Sequence, residues 1–380
     1  MIETPQVKSK MSTFFQKGLT GTAQGILFGL MPMSIMKNLL TYTHATNYYF
    51  GSELLAIVIL LSSFVPLLIG MAVALQFNFS ALETGVVSMA TMVAANSVTW
   101  GLAKAGANNP VTGQPLAKSA RVFLLNGTGD VLTAMVVALL AVLAVFAIRH
   151  FFAGFGSLAI ILTPILVGGG IGLLGTVIRP SLVQVTTWIG DGVESLTKLA
   201  PLPMAIFIAM AFSVILVTPI STVGVALAIN IHGLAAGAGA MGVVATTIVL
   251  LINSAIVNKK GTTLAILLGA MKGMMPAVLK KPVTMIAFAL TAGLSALGVV
   301  AFNIQGTPVS TGFGYGGLTA PIASMARDTT VPAGTVTHLI TWLPALLGWV
   351  VIPLLAGLVV QFVLVRLVHL YKPEDFKQEL

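Results

Sequence analysis

The residues suited to chemistry on a solute are hydroxyls, amides and a few isolated charges, and they sit in breaks between apolar runs. Thr307, Ser310 and Thr311 open the segment Gly306–Pro321, GTPVSTGFGYGGLTAP, which also carries Gly312, Phe313, Gly314 and Tyr315. Asn230 and His232 fall in a second break, Thr218–Gly242, TPISTVGVALAINIHGLAAGAGAMG. A third, Asn253–Lys260, reads NSAIVNKK, with Lys272 beyond it. Such groups hydrogen-bond a polyhydroxylated or otherwise polar neutral ligand better than a strongly charged one, and Phe313 and Tyr315 offer ring faces. The expected substrate-binding residues are therefore Asn230, His232, Thr307, Ser310, Thr311, Gly312, Gly314 and Tyr315. A plainer reading stands beside this one: Ser and Thr also satisfy loop backbone. Gly233, Gly237, Gly239 and Gly242 have the spacing of a helix-packing stripe.

Two charges stand apart. Asp130 closes Asn126–Asp130, NGTGD, about two turns into an apolar run, and is a candidate either for ion coupling or for a structural pair with Arg121 or Arg149. Lys272 interrupts an apolar segment, where an ionisable side chain is costly; it serves function or snorkels to the interface. Glu83 stands near a span start, where a carboxylate complements the helix dipole. The chain has no cysteine, and its five histidines, His44, His150, His232, His338 and His369, lack ligand spacing, so no metal site is expected. No nucleotide-binding fingerprint, metalloprotease helix or catalytic triad is present, so no cofactor is expected and the chain shows no intrinsic catalytic motif.

The elements that must position these residues are membrane helices. The composition is 57% hydrophobic and 8% charged, against about 25% charged in soluble domains, and the mean hydropathy is +1.02. The class is an all-α polytopic membrane protein. Spans of roughly 20 apolar residues read near 19–40, 53–75, 81–101, 122–148, 157–179, 202–224, 234–257, 261–280, 283–303 and 334–369, about ten in all. Of these, 261–280 has the look of a hairpin. In lipid, irregular backbone survives only where protein or a water-filled cavity covers it, so the Gly306–Pro321 loop reads as re-entrant. Segment 181–200 repeats Leu182, Val185, Ile189, Val193, Leu196 and Leu199 at helical spacing and reads as an amphipathic interfacial helix. It divides a front part, 1–180, from a back part, 201–380. Residues 6–18 form a weaker amphipathic stretch. The net charge of +9 is placed at span ends, facing anionic lipid rather than nucleic acid. Thr218–Thr222, TPIST, echoes Thr307–Thr311, TPVST, and transporters often duplicate broken elements.

An amphipathic crossover, then TPIST, HGLAAGAGAMG, GTTLAILLGAMKGMMPAVLKKP and GTPVSTGFGYGGLTAPI, in that order, resembles the membrane IIC component of the sugar phosphotransferase system. It is closest to the compact branch that includes perfringolysin O regulator-like proteins. The likeness covers most of the chain and is sharpest over about 215–325. It implies ten spans with re-entrant hairpins, a homodimer through the front part, and elevator-like movement of the back part in the cytoplasmic (inner) membrane of a bacterium. It places a sugar or similar small polar solute between 230–242 and 306–318, and it implies separate IIA and IIB partners that phosphorylate the sugar. The chain departs from glucose-type members in lacking a Gly-Ile-Thr-Glu-like motif in the back part. That keeps open a phosphorylation-independent carrier or a membrane-embedded sensor or regulator on the same scaffold.

Overall fold

A computed structural model describes residues 5–109, 112–152, 158–325 and 341–378. The first half contains α1 (Pro5–Tyr42), α2 (Tyr49–Ser62), α3 (Val65–Gln76), α4 (Ala81–Ala94), β1 (Val98–Ala103), β2 (Ala120–Leu125), α5 (Val131–Phe151), α6 (Leu158–Thr163) and α7 (Gly172–Leu196). The second half follows with α8 (Pro201–Leu216), α9 (Thr222–Ala228), α10 (Gly233–Val257), α11 (Lys260–Leu268), α12 (Met275–Lys280), α13 (Met285–Ala301), α14 (Pro308–Phe313), α15 (Thr319–Met325), α16 (Trp342–Leu346) and α17 (Ile352–Gln361). Among the described residues, five helices are long and apolar enough to cross a membrane, six if α2 and α3, bent by 44°, count as one span.

Local chemistry explains where several expected spans stop short. Ser80 and Glu83 form a capping box that starts α4, while Asn96, at φ +63°, follows its end. Residues 98–103 and 120–125, apolar but rich in β-branched and aromatic side chains, form an antiparallel hairpin. The expected spans 81–101 and 122–148 are therefore helical only over Ala81–Ala94 and from Val131. Asp130 is not inside a helix: it is the N-cap of α5, its Oδ2 accepting from the Thr133 amide at 2.8 Å. Neither expected arginine pairs with it, because Arg149 is bidentate to Glu83 at 2.6 Å on both bonds.

The opposite correction applies at 157–200. An α-helix, a π-helical stretch (Pro164–Ile171) and α7 run as one 37-residue helix from Ile160 to Leu196, with Pro180 inside it. The amphipathic segment is the far end of a long helix rather than a separate one. Its Ile189, Val193 and Leu196 pack on the core of the second half, whereas Val167 near its start belongs to the core of the first. Likewise residues 6–18 and 19–40 share the single helix α1. The expected span 202–224 ends at Leu216, and a break around Pro219 precedes α9. Residues 334–340 of the last expected span lie outside the described residues, and its helix begins at Trp342.

Buried apolar side chains gather in three clusters. One, from Ile26 to Val167, joins α1, α3, α4 and α5; there Gly21 and Gly25 let α1 close onto the backbone of Val73 and Ile69. A second centres on Phe212, Met241, Ala292 and Trp349. The third, around Leu250, Phe288, Tyr371 and Phe376, holds the C-terminal segment. The Asn253–Lys260 polar stretch serves this last cluster. Asn253 exchanges amide hydrogen bonds with Gln361 at 2.9 and 3.0 Å, and Asn258 accepts from the Gln378 amide and donates to the Phe376 carbonyl.

Candidate functional site

The two echoes, TPIST and TPVST, meet in space. Thr222 Oγ1 donates to the Gly312 carbonyl at 2.8 Å, and a Cβ at Gly312 would fall 2.4 Å from Val223 Cα, so α9 and α14 touch backbone to backbone. Their caps differ in register. Ser221 Oγ accepts from the Gly224 amide to start α9, whereas Thr307 and Ser310 form a capping box at α14. Ser221 thus corresponds in sequence to Ser310 but in role to Thr307. Ahead of α9, the unwound carbonyls of Thr218 and Ile220 accept from Lys272 Nζ at 2.8 and 2.7 Å. The ammonium thereby satisfies backbone that the break at Pro219 leaves without helical partners.

A cavity of about 410 Å³ opens on this junction. One wall comes from the second half: Ser221, Thr222 and Val223; Val309, Gly312 and Phe313; and the loop Gly269–Gly273 with Lys272. The facing wall comes from the first half: Ile26 and Leu27 of α1, Val58 and Ser62 of α2, and the Asn126–Thr128 loop ahead of α5. Mostly apolar walls with a few convergent polar groups, in this size range, are the usual form of a small-molecule site. No carboxylate and no histidine lines it among the described residues.

Of the expected site residues, Gly312 and Lys272 line the cavity. Thr307, Ser310 and Thr311 are buried and occupied by loop backbone: Ser310 Oγ accepts from the Thr307 amide at 2.8 Å, and Thr311 Oγ1 lies 2.8 Å from the Thr307 carbonyl and 3.0 Å from that of Ala236. Gly314 closes α14 at φ +53°, a conformation that favours glycine. The Tyr315 hydroxyl donates to the Trp349 carbonyl, and Trp349 Nε1 donates to Ser324 Oγ at 2.8 Å, tying the loop to the segment ahead of α17. Asn230, at φ +48°, and His232, which precedes α10, lie 2.9 Å apart through Oδ1 and Nε2. Neither lines the cavity.

Residues 230–242 and 306–318 do come together, but as a packed contact rather than as walls around a space. Gly233 and Gly306 exchange backbone hydrogen bonds at 3.1 and 3.0 Å, and a Cβ on Gly237 would sit 2.0 Å from the Ile304 carbonyl oxygen. Gly239 and Gly242 similarly face Thr311 and the Ala209 carbonyl. The space lies on the other face of α14. Ser62 and the α1 residues of its far wall carry no signal in the sequence, because they are ordinary members of apolar helices. The Asn126–Asp130 break was legible as polar, and what it builds is a cavity-lining turn and a helix cap.

Long apolar helices and a solute-sized cavity lined from both halves of the chain mark a multi-pass membrane protein. A sequence model of the family described as Phosphotransferase system, EIIC, matches residues 16–378. The chain belongs to that family, the membrane component of sugar transport by the phosphotransferase system. No curated protein and no solved structure matches it.

Proposed function

We propose that the cavity between the halves is the solute chamber of a IIC-type transporter in a bacterial cytoplasmic membrane, and that 201–380 moves against a 1–180 scaffold to give alternating access. The observation that carries this reading is the cavity's construction: first-half helices form one wall, and the broken elements α9 and α14 with the Lys272 loop form the other. Irregular backbone at membrane depth is tolerated where it lines such a space. In this reading the chain is a homodimer through its first half, and IIA and IIB proteins act with it.

A second reading, a carrier that moves its solute without phosphorylating it, is favoured by one observation. Phosphorylating a sugar hydroxyl is assisted by a group that takes its proton, and no carboxylate or histidine is among the described lining residues. Solute accumulated unmodified in proteoliposomes supplied with IIA, IIB and a phosphoryl donor would select it; accumulation as a phosphate ester would exclude it.

The chamber is tested by filling it. Val309→Trp, on the cavity wall, should abolish solute-induced thermal stabilisation and uptake across a panel of sugars, polyols and sugar acids, without lowering the ligand-free unfolding temperature. Val177→Trp, on the exposed face of α7, should change neither. Wild-type binding and uptake in the Val309 variant would place the chamber elsewhere.

A further inference from the structure

The lining suits a different charge class from the one the polar breaks of the sequence imply. Lys272 lines a largely apolar cavity, and its Nζ donates to two backbone carbonyls. An ammonium has three donors, so two carbonyls leave one N–H, and among the described residues the positive charge has no anionic partner. The acids with described partners look elsewhere: Glu83 to Arg149, Asp375 to Lys281, Asp130 to Thr133. Lys37 also lines the cavity, which adds a second positive side chain to its rim. Asn126, Thr128, Ser62 and Ser221 supply neutral donors and acceptors around it.

A cation in low-dielectric surroundings attracts an anion more strongly than water would allow, and the described lining residues include no acidic group to repel one. We propose that the solute is a carboxylate-bearing polyhydroxy compound, a sugar acid, whose carboxylate takes the remaining N–H of Lys272 and whose hydroxyls meet the neutral groups. This inference rests on the reading of the cavity as the solute chamber. Lys272 then has two roles: it holds the unwound α8–α9 backbone, and it presents its charge to the solute. Solute binding is thereby joined mechanically to one of the broken elements of the second half.

The test is calorimetric titration of the detergent-purified full chain with matched probes: D-gluconate against D-glucitol, D-glucuronate against D-glucose, and D-glucose 6-phosphate as an anion lacking the carboxylate. An acid binding at least tenfold more tightly than its neutral counterpart, weakened at least tenfold in Lys272→Met and less in Lys37→Met, is expected. Because Lys272→Met also removes two backbone hydrogen bonds, Lys272→Arg is the companion: it keeps the charge and should retain acid binding to within about tenfold. Neutral probes binding as tightly as the acids, acid affinity unmoved in every lysine variant, or preference for the phosphate ester would each overturn the proposal. So would no binding by any probe. The Val309→Trp experiment separates these failures from failure of the chamber itself, since a neutral solute excluded by that variant keeps the chamber and removes only the sugar acid.

Discussion

Asp130 shows how a single intramembrane-looking carboxylate resolves into local structure. Its carboxylate accepts from the amide of Thr133 and caps α5, the arrangement that satisfies one orphan donor of a helix start. Asp130→Asn keeps an acceptor there and should leave stability and uptake near wild type, while Asp130→Ala should cost about 1 kcal/mol. Uptake lost in the Asn variant with an unchanged unfolding temperature would return Asp130 to a coupling role. Gly312 makes the complementary case. An added Cβ would fall 2.4 Å from Val223 Cα, so Gly312→Ala must part α9 from α14, at a cost of about 1–3 kcal/mol. Gly261→Ala, where nothing lies within 4 Å, should be neutral or mildly stabilising in the same thermal-unfolding assay.

At the scale of elements, the C-terminal segment behaves as part of the fold. Tyr371 and Phe376 are buried, and the Tyr371 hydroxyl donates to Gln361 at 2.6 Å. Phe376→Ala should destabilise the protein by about 3–5 kcal/mol in detergent unfolding. An ion pair of 2.6 Å between Lys281 and Asp375 joins this segment to the turn after α12. Burial pushes the Asp375 carboxyl up, but Lys281 and the Lys372 amide together hold it below its ordinary value. A carboxyl depressed in the folded state contributes stability above its unfolded pKa and loses it as pH falls through the folded one. Hydrogen-exchange protection of residues 371–378 should therefore be constant from neutral pH to about 5 and decline below about 4. In Asp375→Asn that decline should be absent; an identical acid decline in both proteins would show that the pair contributes nothing to docking.

The cavity walls come from different halves of the chain, so tethering one wall to the other tests their relative movement. The chain has no cysteine, so introduced pairs can be read without background. Thr128→Cys and Phe313→Cys lie on opposite walls of the cavity, and joining them with a short bis-thiol reagent should stop uptake. A pair within α11, Leu264→Cys with Leu267→Cys, should be joined without effect. Full uptake after cross-linking across the cavity would rule out movement of one half against the other.

The sequence by itself determined the class. Its apolar content excludes a soluble fold, and the order of its glycine-rich breaks carries the EIIC family. Glu83 was legible as a carboxylate near a helix start, and it forms the capping box with Ser80; Lys272 was legible as a charge in an apolar run, because both signals are local. The helix ends it missed depend on what local hydropathy does not record: 98–103 and 120–125 are apolar enough to span but pair with each other, and Pro180 does not end a helix whose two ends pack on different cores. The cavity was least legible of all. Thr307, Ser310 and Thr311 advertise polarity but turn it onto their own loop, while Ile26, Leu27 and Val58 line the space with no distinguishing chemistry. Which side of α14 stays open follows from Gly233 pairing with Gly306, a contact 73 residues apart in the numbering that only the tertiary structure sets.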